Sequence, residues 1–242
     1  MKFNFKNKIV LITGGEGGLG KSICSKFIQL GAKVIVTTTN KKLINKKTKK
    51  KSYVYLDFNN KNSIQKFSND LKKINKIDIL INNAGINMVS PINEVDEKYL
   101  DEIYKVNLRG PIIMTKQISK IMIKKRKGKI INISSIFGAV GKTGRSLYSS
   151  TKFGLVGLTK SAALDLAKYN ILVNAISPGV INTGLTKKVL SSIEEKRIKK
   201  EIPLNKLGKA SDVSYLVCFL CSDFNNYITG QNFIIDGGYT SK

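Results

Sequence analysis

The chain has 242 residues and 26.8 kDa, a length that suits one α/β domain with a sizeable core. Its 4 prolines mark no linker at which to divide it. No apolar run is long enough to span a bilayer, and the first residues, Met1 to Lys8, lead straight into a strand without a secretory leader, so a soluble cytoplasmic protein, or one of an organelle stroma or matrix, is expected. Lys+Arg number 42 against Asp+Glu 16, a formal charge of +26, while 0 His and 3 cysteines leave Cys218-x-x-Cys221 without a second ligand pair, so no metal site and buried free thiols are expected.

Such a charge suits an acidic partner such as nucleic acid, an anionic membrane or an acidic carrier protein. It also suits drift in composition, since Lys, Asn and Ile rise together and the lysines scatter over many segments. The second reading is favoured, with no specific nucleic acid and no membrane as partner, because no DNA-reading motif or aromatic interleaving accompanies the lysines.

In chain order, Lys8 to Thr13 is a continuous apolar run, the mark of a strand buried on both faces of a parallel sheet. It ends in Gly14-Gly15-Glu16-Gly17-Gly18-Leu19-Gly20, before a helix predicted over residues 22–30. Strand, glycine loop and helix together make a pyrophosphate site, with bare backbone N–H groups and a helix N-terminus facing the phosphates.

The next strand, residues 33–38, leads into Thr39, Asn40, Lys41 and Lys42. An acid there would bond a ribose 2′-hydroxyl, whereas a 2′-phosphate takes hydroxyls and cations. With Thr38, Thr39, Lys41 and Lys42 at the strand's end, NADPH is favoured; Glu16 in the glycine loop keeps NADH possible. Seven lysines between Lys41 and Lys51 leave room for only a turn or two of helix before a strand at residues 52–57. Asp57 and Phe58 then either flank an adenine or form an ordinary loop.

A helix over 63–74 and a strand over 77–81 reach Asn82-Asn83-Ala84-Gly85, small residues that permit a ligand's close approach. A long amphipathic helix follows, broken around Gly110-Pro111, with Asn107 inside it. The apolar strand 129–133 delivers Ser134 and Ser135 to the sheet's C-terminal edge, where open parallel sheets bind ligands. Tyr148 and Lys152 are one helical turn apart on a helix predicted over 147–169, so an ammonium beside the phenol would make it a better proton donor and acceptor. Strand 171–176 runs into Pro178-Gly179, residues 184–207 are expected to form a substrate flap, and a helix over 211–222 and a strand over 232–236 close the chain.

Thr13-Gly14-x-x-x-Gly18-x-Gly20, Asn82-Asn83-Ala84-Gly85, Asn107, Ser135, Tyr148-x-x-x-Lys152, Pro178-Gly179 and Asp236-Gly237-Gly238 stand in order over essentially the whole chain. In these motifs it resembles the short-chain dehydrogenase/reductase family. The resemblance implies a single NAD(P)-binding Rossmann-type domain over residues 1–242, a doubly wound parallel sheet flanked by helices. It implies Asn107, Ser135, Tyr148 and Lys152 as catalytic, with Tyr148 protonating the substrate oxygen, Ser135 polarising the carbonyl, Lys152 lowering the phenol's pKa and Asn107 holding a relay water. The family's Ser-to-Tyr spacing selects Ser135 over Ser134.

Cofactor contacts implied are Gly14, Glu16, Gly17, Gly18, Leu19, Gly20, Thr39, Asp57, Phe58, Asn83, Ala84, Gly85, Tyr148, Lys152, Pro178, Gly179, Ile181 and Thr183. Many NADPH-using members carry Arg or Lys where Gly17 stands, and this departure from the family pattern leaves NADH possible beside the favoured NADPH. A homotetramer is implied as well. Within the family the likeness is greatest to 3-oxoacyl-acyl-carrier-protein reductases, with the basic run Lys124 to Lys129 facing an acidic carrier. Sugar or polyol dehydrogenases share the likeness, and Lys142 to Ser146 beside Tyr148 would suit an anionic sugar. A non-catalytic dinucleotide sensor or nucleic-acid binder is the reading from another class.

Overall fold

The computed structural model describes residues 3–184 and 191–241. Seven parallel strands form one sheet in the order β3-β2-β1-β4-β5-β6-β9. They are β1 (Ile9–Thr13), β2 (Lys33–Thr38), β3 (Lys51–Tyr55), β4 (Ile79–Asn82), β5 (Gly128–Ile133), β6 (Ile171–Pro178) and β9 (Asn232–Ile235), and β7 (Ile181–Asn182) pairs with β8 (Gly208–Lys209) beyond the sheet. This is the doubly wound Rossmann-type arrangement. The strand order reverses between β1 and β4, so the crevice beyond their C-terminal ends opens there.

Successive side chains explain why the strands read as unbroken apolar runs. On β1, Val10 and Ile12 enter the core on the face of α1 (Gly18–Gln29) and α7 (Ala210–Cys221), with Phe27 and Val217. Leu11, between them, enters the opposite core with Met114 of α4 (Gly110–Lys125) and Ala162 of α5 (Ser146–Ala167). The connections β2-to-β3 and β3-to-β4 differ in what their sequences can build. Lysine-rich residues 41–51 make a single 3-10 turn, Lys41–Leu43. The helix α2 (Lys61–Leu71) is started by Asn60, whose side chain accepts from the Ser63 amide.

Two boundaries differ from the sequence expectation for physical reasons. Helix α1 begins inside the glycine loop at Gly18, because Gly17 supplies an extended N-cap without a side-chain bond. The predicted break at Gly110-Pro111 is instead a widened π turn, Lys105–Arg109, joining α3 (Glu97–Tyr104) directly to α4. Pro111 has no N–H for the carbonyl four residues before it, that of Asn107, and its ring would crowd that carbonyl. The wider turn relieves the crowding without ending the helix.

All three cysteines are buried free thiols. Burial pushes Cys218 up to about 12 and also raises Cys221 well above the usual thiol range, with the neighbouring Cys218 as a smaller cause, so neither is a ready thiolate. No helix of the described residues is long and apolar enough to cross a membrane, and no group of metal-ligating side chains occurs among them. Of the expected flap, residues 185–190 lie outside the described residues. Helix α6 (Ser192–Glu201) buries none of its own side chains, and starts with a reciprocal cap between Ser191 and Glu194.

Candidate active site

The ends of β1, β4, β5 and β6 bring the expected residues to one edge. Ser135 leaves β5 and caps a short 3-10 turn, Ile136–Gly138, its hydroxyl accepting from the Phe137 amide at 3.2 Å. Gly138 must be bare, since a Cβ there would stand 2.6 Å from Ser134 Oγ and 2.9 Å from the Lys152 carbonyl. That close approach seats the turn against the start of α5, where Tyr148 and Lys152 lie. The two serines are thereby separated in role: buried Ser134 donates to the Lys152 carbonyl at 3.0 Å, while the Ser135 hydroxyl acts on the Tyr148 phenol and pulls its pKa down.

Lys152 is buried, its ammonium donating to the Ile133 carbonyl at 3.0 Å and lying 5.4 Å from the Tyr148 ring centre. Burial alone brings its pKa down from 10.5 to about 8. Burial likewise pushes the Tyr148 phenol above its usual 10, and the influences that pull it back are the Ser135 hydrogen bond and the Arg145 guanidinium. Arg145, three residues before Tyr148, is thus a second cation acting on the phenol beside Lys152.

Asn107 is buried in the π turn with its amide fully engaged: Oδ1 accepts from the Ile86 amide at 2.8 Å, and Nδ2 donates to the Ile86 carbonyl at 2.8 Å and to Thr151 Oγ1 at 3.3 Å. It therefore pins the segment after Asn82-Asn83-Ala84-Gly85 against α5. Gly85 lies between, because a Cβ there would meet Asn107 Oδ1 at 3.4 Å and Lys152 Nζ at 3.6 Å.

On the β1 side, Gly14 holds φ +62° and Gly20 is enclosed, its added Cβ falling 2.5 Å from both the Gly14 carbonyl and Asn83 Nδ2. Around Gly17 and Gly18 there is open space instead. The first turn of α1 has no side-chain cap and no acid, so its N–H groups face outward unengaged by side chains. A pyrophosphate fits this cradle, while Leu19 packs inward against the core. Asn83 braces rather than lines the cradle: Nδ2 donates to the carbonyls of Thr13 and Gly14 at 3.0 and 3.1 Å, and the amides of Asn83 and Ala84 both donate to Thr13 Oγ1.

Phe58, Asp57 and Thr38 each have a partner within the fold. Phe58 is buried in the core beneath Gly110, where an added Cβ would press into its ring at 2.9 Å, so its side chain is unavailable to an adenine. Asp57 is engaged locally, accepting from the Asn59 amide. Thr38 is buried, its hydroxyl donating to Glu16 Oε2 at 2.6 Å and accepting from the Asn40 amide. An acid therefore does stand at the end of β2, delivered through space from the glycine loop, while Thr39 is exposed beside it. At the far side, Gly179 closes against β9, where a Cβ would lie 2.9 Å from Asp236. Pro178 ends β6, and Ile181 and Thr183 follow in and after β7.

The sequence reading missed a buried polar line behind the site. Asn82 Nδ2 donates to Asn132 Oδ1, and Asn132 Nδ2 to Thr159 Oγ1, each at 2.8 Å, tying β4, β5 and α5 together. Its only sequence signal is Asn at Asn132, mid-strand between isoleucines. The basic run ending α4, from Lys124 to Lys127, lies at the N-terminal end of β5, the opposite end from Ser135. Six strand residues, roughly 20 Å at about 3.3 Å each, separate them.

The family model described as enoyl-(acyl carrier protein) reductase matches residues 14–240. The 3-oxoacyl-[acyl-carrier-protein] reductase of Aquifex aeolicus is 38% identical over 247 residues, covering 98% of this chain and 99% of its own. Among solved structures, ElxO with NADP bound superposes with a TM-score of 0.90 at 35% identity, covering 97% of this chain and 99% of its own. A 4-hydroxyisoleucine dehydrogenase complexed with NADH gives 0.91 at 33%, covering 98% and 100%.

Proposed function

The chain belongs to the short-chain dehydrogenase/reductase family of NAD(P)-dependent oxidoreductases, and from that premise we propose that it is an NADPH-dependent carbonyl reductase acting on a 3-oxoacyl thioester borne by an acyl carrier protein. The observation that carries the chemistry is buried Lys152, 5.4 Å from the Tyr148 ring centre, with Ser135 at the end of β5 acting on the same phenol. The thioester rests on the relatives named as 3-oxoacyl reductases.

The residues of the glycine loop and α1's first turn would hold the cofactor's pyrophosphate, and Gly85 would give room beside Asn107 and Lys152 for its nicotinamide end. Bound NADPH supplies hydride for the carbonyl carbon. Ser135 Oγ–H bonds and polarises the carbonyl oxygen, a donor fixed before reaction and so costing no reorganisation. Tyr148 Oη–H gives its proton to that oxygen as negative charge develops, leaving a 3-hydroxyacyl product and a phenolate. Burial, by raising the phenol's pKa, keeps it protonated and ready at neutral pH. Lys152 stabilises the phenolate once formed. Because the Asn107 amide is taken by Ile86 and Thr151, a water that returns the proton would sit on the Asn107 backbone carbonyl, which Pro111 leaves without its helical donor.

Carrier docking at Lys124–Lys127 is not supported within one subunit, given that run's position at the far end of β5; exposed Lys142 lies nearer the site. Self-association as a tetramer is supported by large apolar side chains left exposed on the helices, Tyr104, Ile112, Phe153 and Tyr215 among them. Turnover is tested by following NADPH and NADH oxidation with an acetoacetyl thioester against an oxo-sugar. Oxidation with the thioester that prefers NADPH is expected; activity confined to the sugar would replace the substrate with a carbohydrate carbonyl.

A further inference from the structure

Arg145 is a half-buried cation at the mouth of the site for which the fold itself has no use as an ion pair. Its guanidinium carbon lies 5.8 Å from the Phe137 ring centre, and the Tyr148 ring packs edge-on against the same ring at 6.5 Å. Nη1 donates to Asn87 Oδ1, a neutral acceptor, at 2.5 Å. Among the described residues it makes no salt bridge. Its neighbour Lys142, also over Phe137, is by contrast matched by Glu201 at 3.9 Å. A guanidinium that is partly desolvated without a carboxylate is costly to keep, and its remaining N–H groups form a planar donor set that suits a carboxylate or carbonyl oxygen.

We propose that Arg145 receives a second oxygen of the substrate, belonging to the acyl group whose ketone Tyr148 and Ser135 engage: the thioester carbonyl of a 3-oxoacyl group or the carboxylate of a free oxo acid. This rests on the reductase reading above and adds to it. Phe137 is the shared wall that fixes the distance between the two recognition points, Arg145 on one side and the phenol on the other. Asn87 holds the fork from behind. A ketone with no second oxygen then binds through the reacting carbonyl alone, and its recognition is independent of Arg145.

The rival account is structural: Arg145 would only fasten the segment at Asn87 to the start of α5. The two separate cleanly in Arg145→Gln and Arg145→Lys, assayed with acetoacetyl-N-acetylcysteamine, acetoacetate and cyclohexanone. KM for whichever of the first two is the substrate should rise by about tenfold to a hundredfold in Arg145→Gln, the usual worth of a charged hydrogen bond. Arg145→Lys should recover part of it, and KM for cyclohexanone should change less than about threefold, any loss of kcat through the phenol being shared by all three substrates. Preference for the thioester or for acetoacetate in the parent identifies which oxygen is received. Equal rises in KM on all three substrates, or no change in KM on any, would overturn the proposal while leaving the reductase reading intact. Titration of acetoacetate into the NADPH-loaded protein, read by cofactor fluorescence, is independent of turnover. Binding that is present in the parent and lost in Arg145→Gln supports the proposal even if neither acyl compound is reduced, in which case the substrate reading alone fails; no binding and no reduction in the parent defeats both.

Discussion

Replacing Lys152 by Met should make the cofactor-free protein more stable at neutral pH while removing its activity. Lys152 is 4% exposed, and burial brings its pKa from 10.5 to about 8. At ~1.4 kcal/mol per pH unit the native state therefore disfavours the charged form by ~3 kcal/mol. The native value lies below the unfolded one, so between about pH 8 and 10.5 the unfolded chain binds the extra proton and stability rises with pH. The penalty is thus present in full below about pH 8, shrinks above it, and is gone beyond 10.5. Met keeps the stem without the charge and gives up a hydrogen bond to the Ile133 carbonyl worth ~1 kcal/mol. The net gain expected at pH 7 is ~2 kcal/mol, a rise in Tm of roughly 5 °C for a chain of this size. Urea unfolding of parent and variant at pH 7 and pH 10 measures it directly. A variant less stable than the parent at pH 7, or a difference that does not change between the two pH values, would refute the argument that Lys152 is kept charged in the fold at a cost and for its chemistry.

Other substitutions follow from the same geometry. Glu16→Gln removes the carboxylate that Thr38 holds at the end of β2, so the dissociation constant for NADPH should fall by roughly tenfold relative to that for NADH, as expected when one charge repulsion is lifted; fluorescence titration with each cofactor checks it. Gly17→Ala places its Cβ in open space and should leave unfolding within ~0.5 kcal/mol of the parent while weakening cofactor binding, whereas Gly20→Ala meets backbone at 2.5 Å and should be destabilised by more than ~2 kcal/mol. Ser135→Ala should lower kcat by roughly 10²–10³ with cofactor affinity unchanged, measured by steady-state kinetics beside the same titration.

The fold and the meeting of Ser135, Tyr148 and Lys152 at one edge of the sheet were legible because each left a short-range signature. The apolar runs of β1 and β5 need burial on both faces, the glycine loop follows β1 directly, and Tyr148 and Lys152 share a helical face by spacing alone. What escaped the sequence depends on contacts across the fold. Glu16 stands in a loop but acts at the end of β2, because Thr38 turns its hydroxyl toward it. Phe58 looks like a loop aromatic, yet the absence of a side chain at Gly110 gives it a socket in the core. Asn107 read as a residue at a helix break, when the missing N–H of Pro111 produces a π turn. The charge run at Lys124–Lys127 said nothing about which end of the sheet it would occupy.

On the proposed mechanism, hydride meets a carbonyl held by Ser135 while Tyr148, beside Lys152, gives the proton. Mass spectrometry of the product formed from acetoacetyl thioester and NADPH deuterated at the transferring position tests it most directly, with Tyr148→Phe alongside. The account predicts one deuterium on the carbinol carbon for the parent, and for the variant at least a hundredfold slower label transfer, the usual share of a general acid, with NADPH still bound. Label transfer at equal rates in both proteins, or reduction without label, would contradict it.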